Sequence, residues 1–209
     1  MKTTNLRFAL PKGRMSEQCL EHLKHHNLIS FDRWPQTRQL ILTDDKAGIE
    51  FILVRSGDVG TYVEQGCCDL GVVGHDLLTE HDYDVHVPME LPYGHCELCV
   101  AYPENKEEWK SRKNIKIATK YPGITSRYFF NKGFNAQIIQ LYGSIEIAPL
   151  TGISDAIVDL VSTGKTLQEN KLTKGEVILK SQARLIMNRS SYAFKKREII
   201  KIIDTLTTS

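Results

Sequence analysis

The sequence predicts an α/β protein built as two α/β lobes with a cleft between them. Apolar runs of strand length alternate with helix-like segments from end to end, the pattern of an α/β chain with largely parallel sheets. The 209 residues suit one large domain or two small lobes, and either can bury a sizeable core. An internal echo favours two lobes: "GCCDLGVV" (66–73) and "GISDAIVD" (152–159) share the form Gly-x-x-Asp-x-x-Val, each after a short helix. Open sheets of this class place ligands in a crevice.

The elements follow in order. "LRFAL" (6–10) is a short strand ending at Pro11. In "RMSEQCLEHLKHH", Met15, Cys19, Leu20 and Leu23 fall on one helical face. "LILT" (40–43) and "IEFILV" (49–54) are strands parted by the turn "DDKAG". "DVGTYVEQG" is a short helix opened by Asp58 as N-cap and closed by Gly66. "DLGVVG" (69–74) is a strand and "HDLLTE" a helical turn. "HCELCVAY" and "IKIATK" are strands, and "GITSRYFFNKG" is a helix ended by Gly133. "AQIIQLY", "SDAIVDLV", "GEVILK" and "ARLIMN" are further strands, with a helical turn at "SIEIAPL". A last helix runs from about Tyr192 to Leu206, with Ile199, Ile202, Ile203 and Leu206 facing inward.

Composition narrows the function. Hydrophobic content of 41% and charged content of 25% are ordinary for a soluble globular protein. A net charge of +2 is too near neutral to point to nucleic acid. No apolar run is long enough for a membrane span. "MKTTNLRFALPKGRM" is too charged for a signal-peptide core, so a cytoplasmic location is expected. Five cysteines without an export signal read as reduced thiols. Cys96 and Cys99 form a C-x-x-C beside His95, but no second pair at metal spacing follows, and no metal ligands are assigned.

"DAIVDLVSTGKT" (155–166) carries the most chemistry. A buried strand runs into a turn and then into the helix "LQENK". Such a turn aims successive backbone N–H groups at one point, and Thr163 and Thr166 add hydroxyl donors, which together suit a phosphate. Asp155 and Asp159 would repel a phosphate but accept well from sugar hydroxyls. Acids next to a phosphate cradle describe a sugar phosphate such as ribose 5-phosphate. A nucleotide P-loop is the nearest rival; Gly164, Lys165 and Thr166 fit its end, but Asp159 stands where its first glycine must be. A strand acid, a turn and a helix cap with no ligand is the plainer alternative.

Several long blocks then resemble a known family: "ALPKGRM", "RSGDVGTYVEQGCCDLGVVGHDLL", "IATKYPGITSRYFF", "LYGSIEIAPLTGISDAIVDLVSTGKTL" and "ARLIMNRSS". In this order, over about residues 5 to 204, they resemble ATP phosphoribosyltransferase, the first enzyme of histidine biosynthesis. The resemblance implies attack of the ATP adenine N1 on C1 of 5-phosphoribosyl 1-pyrophosphate, with Mg²⁺ required. It implies a fold like a type II periplasmic binding protein, with residues 1–90 plus 180–209 as the ATP-side lobe and 91–179 as the lobe of the ribose-phosphate loop. The chain ends at Ser209, shortly after the last helix, and so resembles the short form. Short-form members pair as dimers within a hetero-octamer whose regulatory subunit resembles histidyl-tRNA synthetase. Two departures stand out: the family often has proline at Gly60 and lysine at His75, where a histidine supplies less charge at neutral pH. Pro11 lies where the family varies.

Roles follow from resemblance and position together. The reaction needs no covalent nucleophile; it needs two anionic substrates positioned and a leaving pyrophosphate neutralised. Arg14, at a strand-to-helix junction, with Lys12 alongside, is the first choice for pyrophosphate, and Arg38 is the next catalytic candidate. Arg55, Asp69, Gly74 and Asp76 are assigned to ATP. Glu146, Asp155, Asp159, Ser162, Thr163, Gly164, Lys165 and Thr166 are assigned to the phosphoribosyl donor. His22, His25 and His26 lie on the polar side of their helix and are read as solvated, and no general base is expected because adenine N1 has no proton to remove. The rivals from other classes are a solute-binding protein, the effector lobe of a transcription regulator and a ribonucleotide-forming enzyme that uses another base.

Overall fold

The computed structural model describes residues 6–35, 37–104, 107–112 and 114–207. The first five residues, where the N-terminal reading begins, lie outside these. The chain divides into two units: the described residues of Met1–Leu78, Asp82–Gly94 and Gln182–Ser209 form unit 1, and Thr79–His81 with His95–Ser181 form unit 2. Each has its own sheet.

Unit 1 holds β1 (Leu6–Pro11), α1 (Arg14–His25), β2 (Ile41–Asp44), β3 (Ile49–Val54), α2 (Val59–Glu64), β4 (Leu70–Gly74), most of α3 (His75–Glu80), β5 (His86–Glu90), β11 (Ala183–Met187), α6 (Arg189–Phe194) and α7 (Lys196–Thr207). Its strand order is β2-β3-β1-β4-β11-β5. β1 runs parallel to β3 and β4, whereas β2 and β11 are antiparallel to their neighbours, so the sheet is mixed rather than largely parallel. Both faces are covered, which is why the central strands read as continuous apolar runs. Phe8, Leu10, Phe51 and Leu70 pack with Leu20, Leu23, Ile199 and Ile202 from α1 and α7. Ala9, Val73 and Ile186 pack with Val59 and Val63 of α2.

Unit 2 holds β6 (Cys96–Pro103), β7 (Asn114–Thr119), α4 (Pro122–Asn131), β8 (Asn135–Gln140), β9 (Ala156–Val161), α5 (Lys165–Glu169) and β10 (Leu172–Ser181). Its order is β10-β6-β9-β7-β8, with β7, β8 and β9 parallel and β6 and β10 antiparallel. The tail of α3 belongs here for a clear reason. The Glu80 carboxylate accepts from the Gly123 and Ile124 N–H groups at 2.7 and 2.8 Å, closing the open N-terminus of α4.

Three local readings differ from the sequence. β5 was not expected: Pro88 breaks its donor row and its residues are largely exposed, as an edge strand tolerates. The last helix is two, α6 and α7, broken at Lys195, whose ammonium turns to Asp69 at 2.8 Å. Asp58 stands at the start of α2 but makes no side-chain cap, because a 3₁₀ turn (Ser56–Asp58) feeds directly into that helix. Gly60 has a packing reason, since a Cβ there would run into the Tyr83 ring, whose hydroxyl donates to Gly57 O at 3.0 Å. A proline at this position would need Tyr83 elsewhere.

Candidate active-site elements in each unit

In unit 1 the cations gather at the C-terminal edge of the parallel strands. The β1–β3 register pairs Pro11 with Val54, so Lys12 and Arg55 leave the sheet side by side. Lys12 N–H donates to Val54 O at 2.8 Å. Gly13 (φ 103°) makes the sharp turn that only glycine enters easily, and α1 begins at Arg14. Arg38 joins them by register: β2 is antiparallel to β3 and Leu53 N–H donates to Leu40 O at 2.8 Å, which brings the approach to β2 alongside the exit of β3. Lys12, Arg14, Arg38 and Arg55 are all exposed.

β4 ends on the same edge at Gly74. Asp76 is buried (4% exposed), and its Oδ1 lies where a Gly74 Cβ would be, so Gly74 lets this carboxylate fold back over the strand end. Burial and the nearby Arg184 guanidinium lower the pKa of His75, although Asp76 opposes this. The imidazole is therefore neutral at physiological pH and supplies less positive charge than a lysine would.

Asp69 and Asp155 lie away from these strand ends, at the starts of β4 and β9, and their carboxylates are taken up by structural hydrogen bonds. Asp69 precedes β4, about 16 Å from Gly74 at roughly 3.3 Å per residue. Its carboxylate is 5% exposed and fully engaged: it accepts from Arg7 N–H at 2.8 Å, Ser191 Oγ at 2.6 Å and Lys195 Nζ at 2.8 Å. Asp155 precedes β9, about 13 Å along the strand from Asp159. It accepts from Lys116 N–H at 2.8 Å and Arg112 at 2.9 Å. The repeated Gly-x-x-Asp is thus a structural device. Each glycine is left-handed (Gly66 φ 72°, Gly152 φ 77°), and each aspartate both donates to and accepts from the start of a parallel neighbour. Asp69 N–H donates to Arg7 O at 2.9 Å, and Asp155 N–H to Lys116 O at 2.8 Å. Both clamp strand register at the edge away from the cations and the turn.

In unit 2 the C-terminal edge of β7, β8 and β9 brings Lys120, Glu146 and Asp159 into one electrostatic group with the turn 162–166 beyond. Buried Ile145 fixes Glu146, and buried Leu167 fixes the turn. α5 starts after left-handed Gly164 (φ 77°), and the first N–H groups of a helix have no intrahelical acceptor. Ser162, Thr163 and Gly164 border a cavity of ≈ 400 Å³ that is shared with Gln168 and Lys174. Lys165 and Thr166 are exposed at the helix start. Lys120, which the sequence reading did not single out, has the same strand-to-helix position that singled out Arg14 and lies in the electrostatic reach of Asp159.

Burial raises the Asp159 pKa, with Glu146 adding to it; the Leu160 N–H at 2.9 Å and Lys120 only partly offset this. Folding therefore binds a proton between the ordinary aspartate value of about 3.9 and the raised one, and stability falls as pH rises through that window. Asp159→Asn should flatten this part of the stability curve and leave the neutral-pH protein at least as stable, while raising the KM for the sugar substrate. Denaturant unfolding from about pH 4 to 7, together with steady-state kinetics, checks both.

Burial sets the state of two other groups. All five cysteines are free, and burial pushes the Cys99 thiol up to about 11. His22 is not solvated like exposed His25: its ring lies 5.6 Å from Tyr93, and burial lowers its pKa, helped by His26 and His25.

Cations on the strand ends of one unit, and acids beside a hydroxyl-lined turn on the other, are the side chains that suit anionic, hydroxylated ligands, carried on a solute-binding-protein-like fold. Residues 55–208 match the family described as HisG: ATP phosphoribosyltransferase. An ATP phosphoribosyltransferase of Citrifermentans bemidjiense is 44% identical over 201 residues, 95% of each chain. The ATP phosphoribosyl transferase (HisG:HisZ) complex from Thermotoga maritima matches at TM-score 0.80 and 33% identity over 96% of each chain. The alkanesulfonate-binding protein SsuA from Xanthomonas axonopodis pv. citri shares the fold at TM-score 0.61 and 15% identity, over 96% of this chain and 71% of that one. The chain belongs to the ATP phosphoribosyltransferase family, pentosyltransferases of the first step of histidine biosynthesis.

Proposed function

We propose that the chain joins N1 of the ATP adenine to C1 of 5-phosphoribosyl 1-pyrophosphate, giving phosphoribosyl-ATP and pyrophosphate. The partition of charge carries this reading: four cations on the strand ends of unit 1, and a hydroxyl-lined turn beside two carboxylates on those of unit 2. The N1 lone pair forms the new bond to C1 as the C1–O bond breaks, and its electrons leave on pyrophosphate. Arg14 and Lys12, with Arg38, neutralise that leaving charge. Arg55, Gly74 and Asp76 belong to the ATP side. The turn Ser162–Thr166 takes the 5′-phosphate, and Glu146 and Asp159 accept from the ribose hydroxyls and stabilise the cationic sugar. Asp69 and Asp155 have no part in it.

Magnesium enters as part of the phosphorylated substrates. Glu146 and Asp159 offer the one or two carboxylates with which proteins commonly hold a phosphate-borne Mg²⁺. Because the Thermotoga maritima relative was solved as a HisG:HisZ complex, a regulatory subunit is proposed here too, with paired catalytic chains inside a hetero-oligomer in the cytoplasm. Among the described residues no helix is long and apolar enough to cross a membrane.

Mixing the protein with ATP, the phosphoribosyl donor and Mg²⁺ should change the ultraviolet absorbance as N1 is substituted. Thr163→Ala and Thr166→Ala should each raise the KM for the donor by about tenfold with kcat nearly kept. A KM that does not move would take the turn out of this role.

A further inference from the structure

Lys120 sits just past the end of β7, and the strand register sets what it faces. β7 and β9 are parallel with Thr119 opposite Val158, so the next pair is Lys120 and Asp159. Ala118, Ile157 and Val161 share one buried face with Ile145, the neighbour of Glu146. By alternation along the two strands, Lys120 and Asp159 belong to that same face.

The junction that carries Lys120 is fixed on both sides. The buried Thr119 hydroxyl donates to Val158 O at 2.7 Å and accepts from Tyr121 N–H at 2.9 Å. Two residues further on, Glu80 accepts from the Gly123 and Ile124 N–H groups. Pro122 between them has no N–H. The N–H groups that open α4 are therefore taken, unlike those of α5, and the positive charge offered at this strand end is that of the Lys120 side chain. Lys120 is exposed, and its ammonium lies in the electrostatic reach of Asp159 without an ion pair among the described residues.

Strand order says which part of a sugar donor it would meet. The turn borders a cavity shared with Thr173 and Lys174 of β10. β10 and β6 lie on one side of β9, and β7 lies on the other. Asp159 thus stands between the turn and Lys120. In a ribofuranose, C1 and C5 leave from opposite ends of the edge that carries the 2- and 3-hydroxyls. With the 5′-phosphate in the turn and those hydroxyls on Asp159, the C1 substituent extends toward β7.

We propose that Lys120 binds the pyrophosphate carried on C1 of the donor, as a binding residue of unit 2 held in place by the Thr119 and Glu80 clamps. This rests on the phosphoribosyl reading of the same site.

Calorimetric titration of the whole chain with 5-phosphoribosyl 1-pyrophosphate and with ribose 5-phosphate, each with Mg²⁺, tests it. Lys120→Ala should weaken the first at least about tenfold and leave the second within about twofold. Lys120→Arg should restore most of the donor affinity. The melting curve should not move in either variant, because the side chain is exposed. Thr163→Ala, by contrast, should weaken both ligands. Donor affinity that Lys120→Ala leaves unchanged, or an equal loss for the two ligands, overturns the role of Lys120 and leaves the phosphoribosyl reading standing. A wild-type chain that binds neither ligand sinks that reading, and the role of Lys120 with it.

Discussion

Arg14→Ala is expected to lower kcat by on the order of 10²-fold or more while the fold is kept. The two halves of this expectation have separate causes. Arg14 is exposed at the first position of α1, and a cation at the positive end of a helix gains nothing from the macrodipole. Alanine is the better helix former there, so thermal unfolding should change by no more than about 0.5 kcal/mol. The role proposed for the side chain lies elsewhere. It projects from the strand edge that also carries Lys12, Arg38 and Arg55, where the charge growing on departing pyrophosphate can be met by a planar fork. A contact made chiefly in the transition state lowers kcat and kcat/KM together. Arg14→Lys keeps the charge but loses the bidentate geometry and should fall between alanine and wild type. Steady-state kinetics with both substrates varied, beside a melting curve, decides it. A near-wild-type kcat for the alanine variant would transfer the role to Arg38 or Lys12.

The sequence was most legible where a local signal has one physical meaning. Alternating strand and helix periodicity placed β1, α1, β3, β4 and β9 nearly to the residue, because buried parallel strands and amphipathic helices leave strong patterns. Edge strand β5, with Pro88, left no such pattern. The junction rule placed Arg14 and the turn 162–166, and applied to "IATKYPG" it would also have found Lys120. Function was misread where a residue type has two uses. Asp69 looks like an acid of the ATP side and Asp155 like a sugar-binding acid until the register shows which end of the strand they occupy, and sequence spacing carries no such direction. The repeated Gly-x-x-Asp was visible, but its meaning required the neighbouring strand that each aspartate clasps.

For that reason Asp69→Ala should act on stability and not on catalysis. Removing the carboxylate leaves the Arg7 N–H and the Ser191 hydroxyl without their acceptor and strands the Lys195 ammonium that marks the break between α6 and α7. Buried donors stripped of a charged acceptor cost on the order of 3 kcal/mol, after discounting Lys195, whose side chain is 38% exposed. In a chain of this length that is a Tm lower by roughly 6–12 °C. Assayed well below its melting temperature, the variant should show an unchanged KM for ATP, because the clamp lies at the far end of β4 from Gly74 and Asp76. A residue lining an ATP pocket would give the reverse, an intact Tm and a raised KM. Asp155→Ala should follow Asp69→Ala in kind but with a smaller loss, since its partner Arg112 is half exposed and already shares Glu108. If the two aspartates separated, one changing only Tm and the other only KM, the shared clamp would fail as an account of the repeat.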